Sequence, residues 1–377
     1  MKNALSQVNG FILLTFGILI LAIMPLYAQS GRVQATPTPT PSDETVRVTT
    51  EEIKLNVLAF DENGRFVPNV TERDLVITEN NVLHQPTSVR RISANVLIVL
   101  DTGGELRSVK TLDQTRKVAK AVVGALKPDD AVAIMEYSDK AAIVDEWTTD
   151  KARTLAAIGK KTNFGRRSAF IDALKMATDF LLKDPLENRH LILITDGTDS
   201  LGRSSAKFDA FQRLLTTNIS VHVISYTSME AADIQPRTKG ISNTPAPKAM
   251  PDEIAATLPN GVRNPSAVKI GPTINLDRTL IRKLKARKVD LENSQEQLEK
   301  VAGSTNGEFI LPESLDEMVA KAPLVAKMID ASYVVTYTPK IPVIDTRSIA
   351  ERNIEVTSKR DGLIVQARRK LVINTTK

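Results

Sequence analysis

Two short apolar runs that each end on an aspartate constrain the fold of this chain most strongly. The first spans residues 95–101 and ends on Asp101, and the second spans residues 190–196 and ends on Asp196. A continuous apolar run of this length is typical of a strand buried on both faces, as in a parallel sheet covered by helices. Open α/β sheets bind ligands at the carboxyl ends of such strands. We therefore expect the functional site around Asp101.

Helical patterns alternate with these strands along the chain. Apolar residues recur at helical spacing, and further short apolar runs predict more strands, one of them (141–144) an antiparallel edge strand. The predicted helices cover about 112–126, 168–181, 208–215 and 315–319, and the other predicted strands cover 131–135, 219–226 and 308–311. Alternation of this kind predicts an α/β fold with a doubly wound, mostly parallel sheet.

Two flanking segments have a different, two-residue period. Residues 45–91 and 333–373 alternate apolar with polar side chains, and turn residues such as Asn63-Gly64 and Asn80-Asn81 separate the runs. Neither segment has enough strands to bury a face by itself. We therefore expect the two segments to pack together as one small antiparallel β-sandwich-like module, interrupted by the α/β domain.

Residues 229–277 break the pattern because prolines recur throughout them, and we interpret this stretch as a flexible insertion. Asp277 is the expected cap of the helix that follows, which carries leucines at 284, 291 and 298. The basic residues of that helix are expected to face solvent, as charges on amphipathic helices ordinarily do. They are Arg278, Arg282, Lys283, Lys285, Arg287 and Lys288.

The N-terminus predicts export. An apolar run at 11–24 precedes Pro25, and residues 26–28 resemble a signal-peptidase site. The run is shorter than the roughly 20 residues that span a bilayer comfortably, so cleavage after Ala28 is favoured over retention as an anchor. Residues 29–44 are rich in threonine and proline and predict an extended linker. The mature protein is then periplasmic, attached to the cell surface or secreted, and only an uncleaved N-terminal segment would hold it in a membrane.

Composition and motifs exclude several function classes. The chain of 377 residues has no cysteine, so disulfides and thiolate chemistry are absent, and its net charge of +6 is spread along the sequence, which does not favour nucleic-acid binding. Two of its three histidines, His190 and His222, lie inside predicted strands, and no phosphate-cradling glycine motif follows a strand. The sequence therefore predicts a protein without enzymatic activity.

Three sequence blocks together resemble the von Willebrand factor A-type domain. They are "NVLIVLDTGGE" at 95–105, "RRSAFIDAL" at 166–174 and "LILITDGTDS" at 191–200. The flanking β segments resemble those of the bacterial secreted variety of this family. The resemblance implies five parts: a signal peptide at 1–28, a linker at 29–44, a first β segment at 45–92, a von Willebrand factor A-type domain at 93–330 with the insertion at about 229–277, and a second β segment at 331–377.

The resemblance also implies a metal-ion-dependent adhesion site. In the family, an Asp-x-Ser-x-Ser loop, a threonine and an aspartate hold one divalent cation. Asp101 and Asp196 match the two aspartates, and Ser168 stands in place of the threonine. Gly103 and Glu105 replace the two serines.

Three outcomes of these replacements stay open. Glu105 binds the cation directly, or the site holds Ca²⁺ because Ca²⁺ tolerates longer ligands than Mg²⁺ does, or the site holds no metal. The expected metal residues are thus Asp101, Glu105, Ser168 and Asp196, for Mg²⁺, Ca²⁺ or Mn²⁺. The resemblance implies a non-enzymatic, adhesion-type module that binds a protein partner. The alternative is a metal-independent structural or assembly factor of the cell envelope.

Overall fold

The computed structural model describes residues 52–104, 109–200, 204–242, 273–274, 277–340 and 350–373. All of them belong to the unit Thr50–Lys377. The predicted signal peptide, the linker, Glu105 and residues 243–272 of the insertion lie outside the described residues. Among the described residues, every helix is either too short or too polar to cross a lipid bilayer.

The described part of the chain forms sixteen strands and seven α-helices. The strands are β1 (Ile53–Phe60), β2 (Leu75–Glu79), β3 (Val82–His84), β4 (Ser88–Arg90), β5 (Asn95–Asp101), β6 (Ala131–Tyr137), β7 (Ala141–Thr148), β8 (Arg189–Thr195), β9 (Ser220–Ser225), β10 (Ile241–Ser242), β11 (Thr273–Ile274), β12 (Phe309–Ile310), β13 (Ser332–Tyr337), β14 (Ala350–Ser358), β15 (Ile364–Ala367) and β16 (Lys370–Ile373). The helices are α1 (Leu112–Ala125), α2 (Lys151–Lys161), α3 (Phe170–Lys183), α4 (Ser204–Leu215), α5 (Thr227–Ile234), α6 (Arg278–Ser304) and α7 (Leu315–Asp330).

The central sheet has six strands in the order β12-β9-β8-β5-β6-β7. All neighbours pair in parallel except β7, which runs antiparallel to β6 at one edge. This is the predicted doubly wound, mostly parallel α/β sheet, including its antiparallel edge strand. Because β5 and β8 are neighbours in the middle of the sheet, the residues that follow them lie side by side at its carboxyl edge.

Alternate residues of β5 point into two separate cores. Ile98 and Leu100 belong to the core with α1, α2 and α7, and Leu97 and Val99 belong to the core with α3, α4 and α6. All four side chains are buried, because helices cover both faces of the strand. At about 25 cal/mol per Å² of apolar surface, each contributes roughly 1.5–3 kcal/mol of burial. The unbroken apolar run is thus the consequence of a strand with no solvent-facing side.

The two flanking segments form the predicted β-sandwich-like module. One four-stranded sheet has the order β15-β1-β13-β4 and the other β16-β14-β2-β3, so each combines strands from both ends of the chain. Leu55, Ile77, Val335 and Val356 are members of one apolar core that the two sheets share. The predicted turns are also present, since Asn80 and Asn81 adopt positive φ between β2 and β3.

The start of the insertion and the helix after it differ from expectation. Residues 227–234 form α5 and 235–238 a 3-10 turn, so regular structure extends past the predicted start at 229. Asp277 does cap α6, accepting a hydrogen bond from the Leu280 amide at 2.9 Å. Arg282, Lys283 and Lys285 face solvent as predicted, but Arg287 points inward and its side chain is only 13% exposed.

Candidate functional site

Two fully buried carboxylates lie at the carboxyl edge of the central sheet. Asp101 is the last residue of β5, and Asp196 directly follows β8. The sequence predicted this juxtaposition from the two apolar runs. Carboxylates without access to water need positive partners or hydrogen bonds, since an isolated buried charge is strongly unfavourable.

Lys110 supplies the positive charge between them. Its Nζ lies 2.7 Å from Oδ2 of Asp101 and 3.1 Å from Oδ2 of Asp196, and the lysine side chain is fully buried. An ammonium group has three donors and no acceptor, so it can serve both carboxylates at once. Sequence analysis did not identify this residue.

The backbone around Lys110 is fixed by a third buried carboxylate. Oε1 of Glu230, on α5, accepts hydrogen bonds from the amides of Val109 at 2.9 Å and Lys110 at 2.7 Å. The next residue, Thr111, caps α1 through its side-chain oxygen, which accepts a hydrogen bond from the Gln114 amide. The lysine therefore enters the site from a backbone held on both sides.

Arg287 is a second cation at the site. Its Nη2 donates to Oδ2 of Asp196 at 2.9 Å, and its Nη1 donates to the Thr198 hydroxyl. Oδ1 of Asp196 accepts from the Thr198 hydroxyl at 2.6 Å and from the Thr198 amide at 2.9 Å. Both oxygens of Asp196 are thus engaged.

Asp101 completes its hydrogen bonds within the sheet. Its Oδ2 accepts from the Thr195 hydroxyl at 3.1 Å, and its Oδ1 accepts from the Gly103 amide at 3.2 Å. The buried Tyr137 hydroxyl lies 2.5 Å from the same Thr195 oxygen. Burial raises the pKa of Tyr137, so this phenol stays neutral.

Burial and neighbouring charges shift the pKa values of these groups in different directions. Burial raises the pKa of Asp101 despite the pull of Lys110, and repulsion from Asp196 adds to the rise. Burial also acts to raise the pKa of Asp196, but Lys110 and Arg287 outweigh it and hold that pKa below its ordinary value. Burial acts to lower the pKa of Lys110, but the two carboxylates outweigh it and raise it. Asp196 and Lys110 are therefore charged at neutral pH. On acidification, Asp101 takes up a proton before Asp196 does.

A second lysine, Lys207, lies near Asp196. Its Nζ donates to the Gly197 carbonyl at 2.9 Å and lies 5.5 Å from the centre of the Phe170 ring. Burial lowers its pKa to about 8, against the attraction of nearby aspartates that include Asp196. Lys207 thus adds positive charge near the site.

Ser168, the third predicted metal residue, is buried just before α3. Its hydroxyl donates to the Thr198 carbonyl at 3.0 Å, and its amide donates to the Ser200 hydroxyl at 2.9 Å. The serine thus joins its own loop to the loop after β8. Because Glu105 lies outside the described residues, the four-residue metal set stays a prediction.

Gly103 stands where the family motif has its first serine, and the structure explains the replacement. A Cβ at this position would lie 1.9 Å from the Arg167 carbonyl oxygen and 2.9 Å from Cα of Ser138. Both are backbone atoms, so no side-chain adjustment could relieve the contact. The loop before α3 therefore packs against position 103 in a way that only glycine permits.

Restoring that serine is expected to disrupt the loop. We predict that Gly103→Ser lowers the free energy of unfolding by about 1–3 kcal/mol or more, as overpacking against rigid neighbours does. Gly124→Ser, on exposed α1 surface with nothing near its Cβ, is the matched control and should be nearly neutral. Urea denaturation of both variants measures the difference. Equal stability of the two variants would contradict the packing argument.

Sequence signals for the missed residues existed. Lys110 lies two residues before α1, just ahead of the N-cap Thr111, and a positive charge at a helix N-terminus opposes the helix dipole, which is unfavourable unless something compensates it. Arg287 lies three residues after Leu284 and four before Leu291, so helical spacing places it on the apolar face. Glu230 fell inside the predicted insertion and carried no comparable signal.

Comparison with known proteins agrees with this fold. Residues 96–198 match the family model of the von Willebrand factor type A domain. No curated protein matches the sequence.

Several solved structures are similar to this chain at low identity. An aerotolerance-related membrane protein from Bacteroides fragilis, with multiple mutations to serine, is 17% identical with a TM-score of 0.38, over 63% of this chain and 99% of that one. A von Willebrand factor type A protein from Catenulispora acidiphila is 11% identical with a TM-score of 0.40, over 87% and 74% of the two chains. The manganese-loaded TRAP protein of Plasmodium vivax is 10% identical with a TM-score of 0.36, over 84% and 97%.

The family match begins at the second residue of β5, includes Asp101 at the end of that strand, and reaches past β8 to Asp196. Both carboxylates that resemble the family's metal ligands therefore lie inside the matched segment. Together with the six-stranded sheet and its two helical layers, this match identifies the chain as a protein that contains a von Willebrand factor A-type domain.

Proposed function

We propose that this protein is an exported, non-enzymatic module that binds a protein partner through the loops at the carboxyl edge of its central sheet. The observation that carries the proposal is the closed charge cluster at that edge. Lys110 and Arg287 neutralise Asp101 and Asp196 inside the protein. Such a cluster holds residues 101–104, 109–111 and 195–198 in one arrangement, and preorganised binding segments lose less conformational entropy when they bind.

The same cluster argues against catalysis by these groups. The Lys110 amine is buried and paired with two carboxylates, so it is not available as a nucleophile. Asp196 is held ionised by two cations and two hydrogen bonds from Thr198, so it is poorly suited to proton transfer near neutral pH. A binding function needs neither group to react.

A scaffold function in the cell envelope is the second candidate, and one observation favours it. Leu83 lies on the edge strand β3 of the sandwich-like module and is 61% exposed. Edge strands with exposed apolar residues can pair with a strand of another chain. In that case the contacts would come from the β module.

Photo-crosslinking from defined positions separates these candidates. A photoreactive amino acid replaces Arg166 at the carboxyl edge, Leu83 on β3, or Lys183 at the opposite end of α3, and all three are exposed. The experiment uses the full-length protein in cells that export it, with and without a chelator. We expect a discrete crosslinked protein from Arg166 in both conditions and none from the Lys183 control.

Each outcome has a distinct meaning. Crosslinks only from Leu83 would replace the edge-binding proposal with the scaffold. An Arg166 crosslink that the chelator abolishes would support the metal-dependent mode predicted from Asp101, Glu105, Ser168 and Asp196. Equal crosslinking from Arg166 and the Lys183 control would contradict specific binding at the carboxyl edge.

A further inference from the structure

The Lys110 ammonium occupies the point on which the two motif aspartates converge. Its Nζ is within hydrogen-bond distance of Oδ2 of both Asp101 and Asp196. A divalent cation held by these two oxygens would lie at the same point. An ammonium and a divalent cation cannot share one position, because they repel each other and compete for the same lone pairs.

The other donors among the described residues do not form a metal site as they stand. Gly103 has no side chain to contribute. The Arg287 guanidinium also contacts Oδ2 of Asp196 and occupies part of its capacity to accept hydrogen bonds. Within the described ranges, no three His, Asp or Glu side chains come together in a way that could hold a metal ion. The donors that the structure describes therefore fit an internal organic cation and do not fit a divalent metal.

The surrounding structure is built to keep the lysine in place. The Glu230 carboxylate accepts hydrogen bonds from the amides of residues 109 and 110, and Glu230 itself is fully buried. This carboxylate pins the backbone from which the side chain enters. Withdrawal of the ammonium would leave Asp101 and Asp196 as like charges without water, which is strongly unfavourable.

We propose that Lys110 substitutes for the divalent cation of the adhesion-type site, so that the protein carries its cation covalently and binds no metal there. Removing the ammonium should turn the same carboxylates into a divalent-cation site. The inference concerns ion occupancy and goes beyond the proposed function, because it holds whether or not this edge binds a protein.

Manganese titration of the full-length protein tests the proposal. Calorimetry measures affinity, and paramagnetic broadening of the Gly103 and Thr198 amide signals reports binding at the site, since each amide donates to one of the two aspartates. We expect no broadening at these amides in the wild type. In Lys110→Ala we expect broadening at both and about 100-fold or greater tightening of Mn²⁺ binding, because a cation in direct contact with both ligands is gone.

Lys207→Ala is the matched control. It also removes one partly buried positive charge near Asp196, but its Nζ donates to the Gly197 carbonyl. We expect this variant to behave like the wild type.

If Lys110→Ala is unfolded in chelated buffer, recovery of the folded state on adding Mn²⁺ is the same positive result. Lys110→Gln, which keeps an amide donor for the carboxylates, is then titrated as a second variant.

Three results would overturn the proposal. One is wild-type protein that binds Mn²⁺ with broadening at Gly103 and Thr198. Another is absence of metal binding in both position-110 variants, which would mean that the lysine is not what excludes the cation. The third is equal gain of Mn²⁺ affinity in Lys207→Ala, which would attribute the effect to net charge alone.

Discussion

Lys110→Met is expected to lower the free energy of unfolding by about 3–5 kcal/mol in buffer that contains a chelator, the range measured when one partner of a buried ion pair is removed. The methionine fills much the same space as the lysine stem, so the change isolates the charge. It leaves Asp101 and Asp196 buried next to each other with only Arg287 to compensate them. Urea denaturation at pH 7 measures the loss.

The double variant Lys110→Met/Asp101→Asn separates charge from packing. Asparagine has nearly the same shape as aspartate but no charge, and Asp196 keeps its ion pair with Arg287. We expect the double variant to recover most of the stability that Lys110→Met loses, which is a large coupling between the two positions. Independent, additive losses would mean that the ion pair is not what the cluster depends on.

Two buried histidines are expected to make the fold acid-labile. The Glu308 amide donates to Nδ1 of His222 at 3.1 Å, which leaves the proton of that ring on Nε2. Nε2 lies 3.1 Å from Nδ1 of His190, whose own Nε2 lies 2.8 Å from the Asn188 side-chain oxygen. This chain of hydrogen bonds requires both rings to be neutral. A proton on either ring would break a hydrogen bond in which that ring accepts.

The direction of the pH dependence follows from the pKa shifts. Burial lowers the pKa of His222 to about 3, and burial with repulsion between the rings lowers that of His190 well below its ordinary value. The unfolded chain binds protons below about pH 6.5 that the folded chain does not, so stability is full above that pH and falls below it. Between pH 7 and 5.5 we expect a loss of about 2–3 kcal/mol from the two rings together.

Urea denaturation across this pH range measures the slope. His222→Asn is the informative variant, because its side-chain oxygen can still accept from the Glu308 amide but does not titrate. We expect its slope between pH 7 and 5.5 to be about half that of the wild type. An unchanged slope would show that these histidines are not the source of the acid lability.

The fold was largely predictable from the sequence because burial determines its patterns. The run that became β5 is apolar throughout because helices cover both of its faces, and the flanking segments alternate because each sheet of the module has one inner face. The positions of Asp101 and Asp196 followed from the same patterns, since parallel strands bring their carboxyl ends to one edge.

The partners of those aspartates were harder to predict. Charged residues ordinarily face solvent, so Arg287 was expected to face solvent and Lys110 was not singled out. Only the position of Lys110 near a helix start and of Arg287 on an apolar stripe suggested otherwise. Arg287 lies far along the chain from Asp196, and helical spacing does not show that its guanidinium pairs with that carboxylate. Sequence motifs located the carboxylates but did not specify their counter-ion.

The pairing of the first strand with strands from the far end of the chain has a consequence for folding order. β1 hydrogen-bonds β13 and β15, and Ile53 faces Tyr337 across the pair. During synthesis both edges of β1 therefore stay unpaired until β13 and β15 have been made. Formation of the α/β domain shortens the loop that must close, which lowers the entropic barrier to pairing. We infer that the α/β domain folds first and the β module last, so a nascent chain exposes β1 as an aggregation-prone edge until its final strands are made.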